Sequence, residues 1–250
     1  MSQELVAFVT GATGGIGSVI TARLLAEGYT VFACGRNAEK LRVLKKTFMH
    51  APMIPLCFDL VHHANTRIWQ GQVARALGRH EAPTLLVCAH GAAPCIQATL
   101  EMSSGAVEEV WQTDVLGTFL VCQVTGRAMV AAGTGSICFI SSLHSQMTYP
   151  QRAAYSMAKS AVSGLVRSLA VEWGPYGVRT NAVCPWQVAG ARTDEFIAAH
   201  QQATGEDLGE LYRQRSPMRR LITPEEIAEA VLFCANTTAL NGAELVLDGG

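Results

Sequence analysis

The sequence is short of charge, of aromatic residues and of cysteines at ligand spacing. Asp, Glu, Lys and Arg make up only 16% of the 250 residues and nearly cancel, leaving a formal net charge of -1. That balance argues against a surface for nucleic acid or an anionic membrane. The eight cysteines (34, 57, 88, 95, 122, 138, 184 and 234) are scattered, mostly inside apolar runs, without a C-x-x-C pair. Buried free thiols are expected, not a metal site. His62-His63 has no further ligand at metal spacing and reads as solvated surface. Reduced cysteines and the lack of an N-terminal signal predict a cytoplasmic protein. Apolar segments are broken by Gly, Pro or charge short of the roughly 20 residues that a membrane span needs. What remains is apolar: 49% of the chain, enough for one large core or two small ones.

The stretch that organises the chain is Ser141 to Lys159, SSLHSQMTYPQRAAYSMAK. On a helix, Tyr155 and Lys159 are four residues apart and share one face. An ammonium beside a phenol favours the phenolate, and a phenol tuned toward neutrality exchanges a proton with an alcohol or carbonyl oxygen. Ser142, on the loop before, can hold that same oxygen by hydrogen bond. The pair alone also fits a solvated helix face, so the rest of the chain decides.

Leu5 to Val9 is a short continuous apolar run, as in a buried parallel strand. It feeds into Thr10-Gly11-Ala12-Thr13-Gly14-Gly15-Ile16-Gly17, after which Val19, Ile20, Leu24 and Leu25 recur at helical spacing. Strand, Gly-rich turn and helix together make a phosphate site, because missing Cβ atoms admit a pyrophosphate to the helix N-terminus. A second strand, Thr30 to Cys34, ends at Gly35-Arg36, where dinucleotide folds meet the adenosine ribose. A carboxylate there would repel a 2'-phosphate; a guanidinium clamps one, so Arg36 favours NADP(H), with NAD the alternative.

The Gly11, Gly15, Gly17 spacing resembles the TGxxxGxG fingerprint of the short-chain dehydrogenase/reductase family. The resemblance runs from about residue 5 to 250 and rests on several motifs in order: the Gly turn, Asp59-Leu60, Ser142, Tyr155-x-x-x-Lys159 and the closing V-L-D-G-G. It implies that the turn binds the NAD(P) pyrophosphate and that Asp59 and Leu60 meet the adenine edge. Ala89 would lie in the loop that packs against the cofactor, and Val188 would offer backbone groups to the carboxamide. The chain departs from the family at four places. Cys88-Ala89-His90-Gly91 replaces N-N-A-G, with His90 expected to be a structural hydrogen bonder. Asp114 stands where an Asn would hold a water behind the catalytic Lys. Gly14 is uncharged where many NADP-preferring relatives have a basic residue. Trp186 replaces a Gly after Pro185 and either lines the substrate pocket or packs outward.

Strand and helix patterns alternate throughout, which predicts an α/β fold: one Rossmann-type, doubly wound parallel sheet of about seven strands with helices on both faces. Residues 1–250 read as one catalytic domain. The segment around 186–222 is the substrate lid in relatives; its arginines read as a solvated face or intersubunit pairing before an anion site. A homotetramer or homodimer is implied by resemblance alone. The expected activity is hydride transfer between NADP(H) and a carbonyl or secondary alcohol of a small-molecule substrate. Tyr155 would be the acid/base, Lys159 its tuner and ribose ligand, Ser142 the group orienting substrate, and Asp114 part of the proton relay. The alternatives are an NAD-dependent alcohol or dihydrodiol dehydrogenase, and, in a different class, a dinucleotide-binding regulator without turnover.

Overall fold

The computed structural model describes residues 4–60, 66–78, 82–92 and 95–250; His62 and His63 lie outside them. Seven strands form one parallel sheet in the order β3-β2-β1-β4-β5-β6-β7. They are β1 Val6–Thr10, β2 Thr30–Gly35, β3 Met53–Cys57, β4 Leu85–Cys88, β5 Gly135–Ile140, β6 Val178–Pro185 and β7 Glu244–Leu247. The chain order reverses between β1 and β4, whose register ends at Thr10 opposite Cys88. A crevice opens beyond the C-terminal strand ends at such a switch point, which is where these sheets bind ligands.

Side-chain alternation along each strand divides the core in two. Ala7 and Val9 point to one face, where Ile20 and Leu24 of α1 (Gly15–Ala26), Leu41 of α2 (Ala38–Thr47) and Ile227 and Val231 of α9 (Pro224–Asn236) cover them. Val6 and Phe8 point to the other. There they meet Trp69 of α3 (Thr66–Leu77), Val121 and Met129 of α5 (Thr118–Ala132) and Val162 and Val166 of α6 (Ala153–Trp173). The strands are buried on both faces, which explains their continuous apolar reading.

Before α5 come α4 (Ser104–Val110) and a π-helical turn, Trp111–Gly117, so one helical rod runs from Ser104 to Ala132. By length and composition this rod is apolar enough to cross a membrane, contrary to the expectation that no segment would be. Gly117, Thr118, Thr125 and Gly126 interrupt its apolar run without adding charge, so its mean hydropathy stays high. Val110, Val121, Cys122 and Met129 are buried in the fold, as in a core helix. Six of the eight cysteines are buried and all are free; Cys57 is exposed and Cys95 half-buried. Cys57 escapes burial because β3 is an edge strand whose alternate residues face solvent.

The lid carries α7 (Ala191–Thr204) and α8 (Leu208–Arg215). It returns to the body where Ala189 N–H donates to the Ile222 carbonyl at 2.8 Å. Next, Thr223 and Glu226 form a reciprocal capping box at the start of α9. Arg220 pairs with Glu226 at 2.6 Å; its hydrogen bonds and those of Thr223 pull that carboxyl down to about 2.

Candidate active site

The Gly turn fits a dinucleotide pyrophosphate. Gly11 has φ 66°, and a Cβ there would lie 2.6 Å from the Ala89 carbonyl oxygen. A Cβ at Gly17 would run into the Gly11 carbonyl, whereas one at Gly15 would meet nothing within 4 Å. Two glycines are thus required by packing, and the third keeps open space beside the start of α1. Gly14 caps that helix without a side-chain bond, and its first turn holds no acid. Its leading N–H groups and positive dipole end are left for an anion. Ile16 packs its side chain into the core, so only its backbone is available to such a ligand. Thr13 Oγ1 lies 3.3 Å from the Cβ position of Gly35, which joins the turn to the end of β2. Arg36 follows, exposed and without an ion pair among the described residues. Asp59 and Leu60 are half-buried beyond β3, with Leu60 Cβ 3.2 Å from a Cβ at Gly117.

β5 delivers Ser141 and Ser142 to the same edge, both buried. Ser142 Oγ accepts from the His144 N–H at 3.2 Å, which leaves its own proton available. Tyr155 lies in the first turn of α6, with the His144 ring edge-on at 5.4 Å between centroids. Lys159 Nζ lies 5.4 Å from the Tyr155 ring centroid. Burial pulls the Lys159 ammonium pKa down, but the charges of Tyr155 and Asp114 and a hydrogen bond to Asp114 outweigh it, and the net shift is upward. The Asp114 carboxylate is fully buried, its Oδ2 3.1 Å from Lys159 Nζ and its Oδ1 accepting from Ala92 N–H at 2.6 Å. Asp114 therefore acts here as a charge partner of the lysine, anchored to the loop after β4.

The residues from 11 to 250 match the family model described as enoyl-(acyl carrier protein) reductase. The D-threitol dehydrogenase of Mycolicibacterium smegmatis is 32% identical over 98% of this chain and 92% of its own length. The cis-4-hydroxycyclohexanecarboxylate dehydrogenase of Sinomonas cyclohexanicum is 33% identical over 99% of this chain and 96% of its own. A tryptophan variant of actinorhodin polyketide ketoreductase, solved with NADPH, superposes with a TM-score of 0.91 at 28% identity, covering 99% of this chain and 97% of that one. The chain belongs to the short-chain dehydrogenase/reductase family. It is an NAD(P)-dependent oxidoreductase acting on CH–OH/C=O groups.

The hydrogen bonds of His90 can be directed. The Thr118 hydroxyl donates to the Asp114 carbonyl at 2.7 Å, so at 3.1 Å it accepts from His90 Nε2–H. The Thr10 hydroxyl then donates to His90 Nδ1 at 2.6 Å. Burial, opposed by Asp114, holds this imidazole down to about 4, so it is neutral near pH 7. His90 is the structural hydrogen bonder expected, tying the end of β1 to the helical rod that carries Asp114.

Sequence reasoning missed Glu244, whose Oε2 accepts from Ser163 of α6 at 2.7 Å and from Ser145 at 3.3 Å. The Ser145 hydroxyl shares its one proton between this carboxylate and the Ser142 carbonyl, 2.8 Å away, and the Ser145 N–H donates to that same carbonyl at 3.0 Å. One carboxylate thus locks the Ser142 turn to the helix bearing Tyr155 and Lys159. Trp186 packs edge-on against Tyr212 of α8, ring centroids 5.9 Å apart, with its Nε1 buried and without a hydrogen-bond partner among the described residues. That places the indole under the lid. Val188 spends one carbonyl lone pair on Thr193 Oγ1 at 2.6 Å, while its N–H makes no hydrogen bond among the described residues.

Proposed function

We propose that the chain catalyses reversible hydride transfer between NADP(H) and the carbonyl or secondary alcohol of a small-to-medium organic substrate. The observation that carries the reading is Lys159 Nζ over the Tyr155 ring, with Ser142 joined to that ring through His144, whose N–H its hydroxyl accepts. When bound, the nicotinamide supplies or takes the hydride. Tyr155 donates a proton to the carbonyl oxygen in reduction and withdraws it in oxidation. Lys159 stabilises the phenolate that results and binds the nicotinamide ribose. Ser142 holds the substrate oxygen with its free hydroxyl proton. The pyrophosphate would rest against the backbone of Gly14 and on the Gly15 and Ile16 N–H groups, the adenine against Asp59 and Leu60, and the carboxamide on Val188, with Ala89 beside the ring. Relatives named for a polyol and for a hydroxycyclohexanecarboxylate support an alcohol or ketone of modest size.

The preference for NADP(H) over NAD(H) rests on Arg36, free to clamp a 2'-phosphate, and is supported by the NADPH-bound ketoreductase. Association as a homodimer or homotetramer is supported by an apolar groove of about 320 Å³ lined by Val115, Leu116 and Leu165, with Trp111 and Phe119 exposed at its edge. Size-exclusion with light scattering tests that, and fractionation tests the cytoplasmic location. The test of the function is Tyr155→Phe in an assay at 340 nm over a panel of ketones and alcohols. Turnover falls by orders of magnitude while NADPH binding is retained; full activity in the variant would show that another group moves the proton.

A further inference from the structure

Four arginines around the lid fall into two sets; Arg192, which donates to the Ala92 carbonyl at 3.1 Å, and Arg219 belong to neither. Arg213 pairs with Glu210 at 3.0 Å and Arg220 with Glu226 at 2.6 Å. Arg152 and Arg215 have no ion pair among the described residues; each lies over an aromatic ring instead. The Arg152 guanidinium is 5.7 Å from the Phe196 ring centroid on α7, and that of Arg215 is 5.6 Å from the Tyr149 centroid. Asp194 and Glu195 adjoin Phe196 in sequence, yet neither pairs with Arg152.

The Tyr149 ring belongs to the wall of the active site. The His144 ring stands edge-on to Tyr149, centroids 5.5 Å apart, and edge-on to Tyr155 at 5.4 Å. Arg152 is half-buried at the N-cap of the helix that carries Tyr155. Its charge helps burial hold His144 down to about 4, so the two groups are close and the imidazole carries no competing charge near pH 7. The Tyr212 phenol is raised chiefly by burial, and the charges of Arg152 and Arg215 oppose the rise. Just before Arg152, Gln151 adopts φ 65°, a left-handed conformation uncommon outside glycine, and its carbonyl is held by Gln97 N–H at 3.2 Å. A half-buried guanidinium without an anion bears a desolvation cost that a bound anion would offset. Stacking on aromatic faces leaves its N–H edge free for a planar, bidentate acceptor.

We propose that Arg152 and Arg215 form an anion subsite at the mouth of the active site, and that the substrate is a ketone or secondary alcohol bearing a carboxylate. This rests on the hydride-transfer reading of the Tyr155 site and deepens it. The carboxylate takes the Arg152 edge, with the exposed Arg215 closing over it from α8. The reacting carbon is then held on the other side of His144, next to Tyr155.

The test is calorimetric titration of the enzyme–NADP⁺ complex, which does not turn over a ketone. The probes are 4-oxopentanoate and 4-oxocyclohexanecarboxylate, each against its methyl ester. The expected result is at least tenfold tighter binding of an acid than of its ester. Arg152→Gln abolishes that preference, Arg152→Lys restores part of it, Arg215→Gln weakens it, and Arg213→Gln leaves it unchanged. Equal affinity for acid and ester, no binding by either acid, or a preference that survives Arg152→Gln and Arg215→Gln together overturns the subsite. Should Arg152→Gln not fold, as judged by circular dichroism, the exposed Arg215→Gln decides by the same ratio. Acid-selective binding without reduction of any ketone by NADPH would count against hydride transfer and leave the subsite standing.

Discussion

Asp114 Oδ2 and Lys159 Nζ form an ion pair of 3.1 Å, with the carboxylate fully buried and the lysine side chain 7% exposed. Oδ2 has no other hydrogen-bond partner among the described residues, so the lysine is its sole compensation. The pair holds the ammonium charged at the cost of a negative charge near the developing phenolate. In Asp114→Asn the amide still accepts from Ala92 N–H, but that negative charge is gone. The phenol then has less negative charge beside it, and the pH at which alcohol oxidation switches on should move down. A pH–kcat/KM profile checks the shift; an unmoved or upward limb would sink the account. Asp114→Ala removes the partner altogether and strands a buried ammonium, for an expected loss of about 3–5 kcal/mol in urea unfolding.

Gly15 and Gly17 separate cofactor binding from folding. A methyl at Gly15 meets nothing in the protein within 4 Å, and alanine is the better helix former. Gly15→Ala should therefore fold with equal or higher stability yet raise the NADPH Kd about tenfold or more, equivalent to about 1.4 kcal/mol. Gly17→Ala drives its Cβ into the Gly11 carbonyl and should lose about 1–3 kcal/mol of stability. Thermal melts beside NADPH fluorescence titrations give both readings. Unchanged NADPH affinity in Gly15→Ala would remove the turn from the cofactor site.

Much of the fold was legible because its signals are local. The apolar runs, the Gly11–Gly17 turn and the Tyr155–Lys159 spacing each lie within one element, where period and turn chemistry suffice. The active-site environment was not, because it is made by residues distant in the chain. Ser145 meets Glu244 across 99 positions and Thr10 meets His90 across 80. The π-turn at Trp111–Gly117 leaves no periodic trace; sequence predicts one continuous helix over Ala106–Ala131. The lid arginines look alike in sequence, and only their partners distinguish Arg213 and Arg220 from Arg215.

Arg36 is the sequence expectation with the sharpest kinetic consequence. It is exposed at the end of β2 and committed to no carboxylate among the described residues, so a 2'-phosphate would be its principal partner. A hydrogen-bonded charge of this kind is worth about 1.5–3 kcal/mol. Arg36→Ala should raise the KM for NADPH by about tenfold or more and that for NADH far less, with kcat little changed for either. Parallel changes in both KM values would mean that Arg36 serves the fold or the adenine, not the phosphate.

His90 predicts an acid weakness. Its imidazole titrates at about 4 in the fold, chiefly through burial, against about 6.5 when unfolded. A lowered folded pKa on a base favours the neutral form. Stability is complete above about pH 6.5 and falls as pH drops toward about 4, where the unfolded chain binds the extra proton. At about 1.4 kcal/mol for each pH unit, His90 contributes a loss on the order of 2 kcal/mol by pH 4.5. His144, also held down to about 4, adds its own share and is left in place. Protonation at Nδ1 would force the Thr10 hydroxyl to turn its proton from His90 toward the Val87 carbonyl, 3.4 Å away. His90→Gln keeps a donor and an acceptor but cannot titrate, so its stability should fall less steeply between pH 7 and 4.5 than that of the parent chain. Urea unfolding at both pH values measures the difference, and identical slopes would show that His90 is solvated enough to protonate freely.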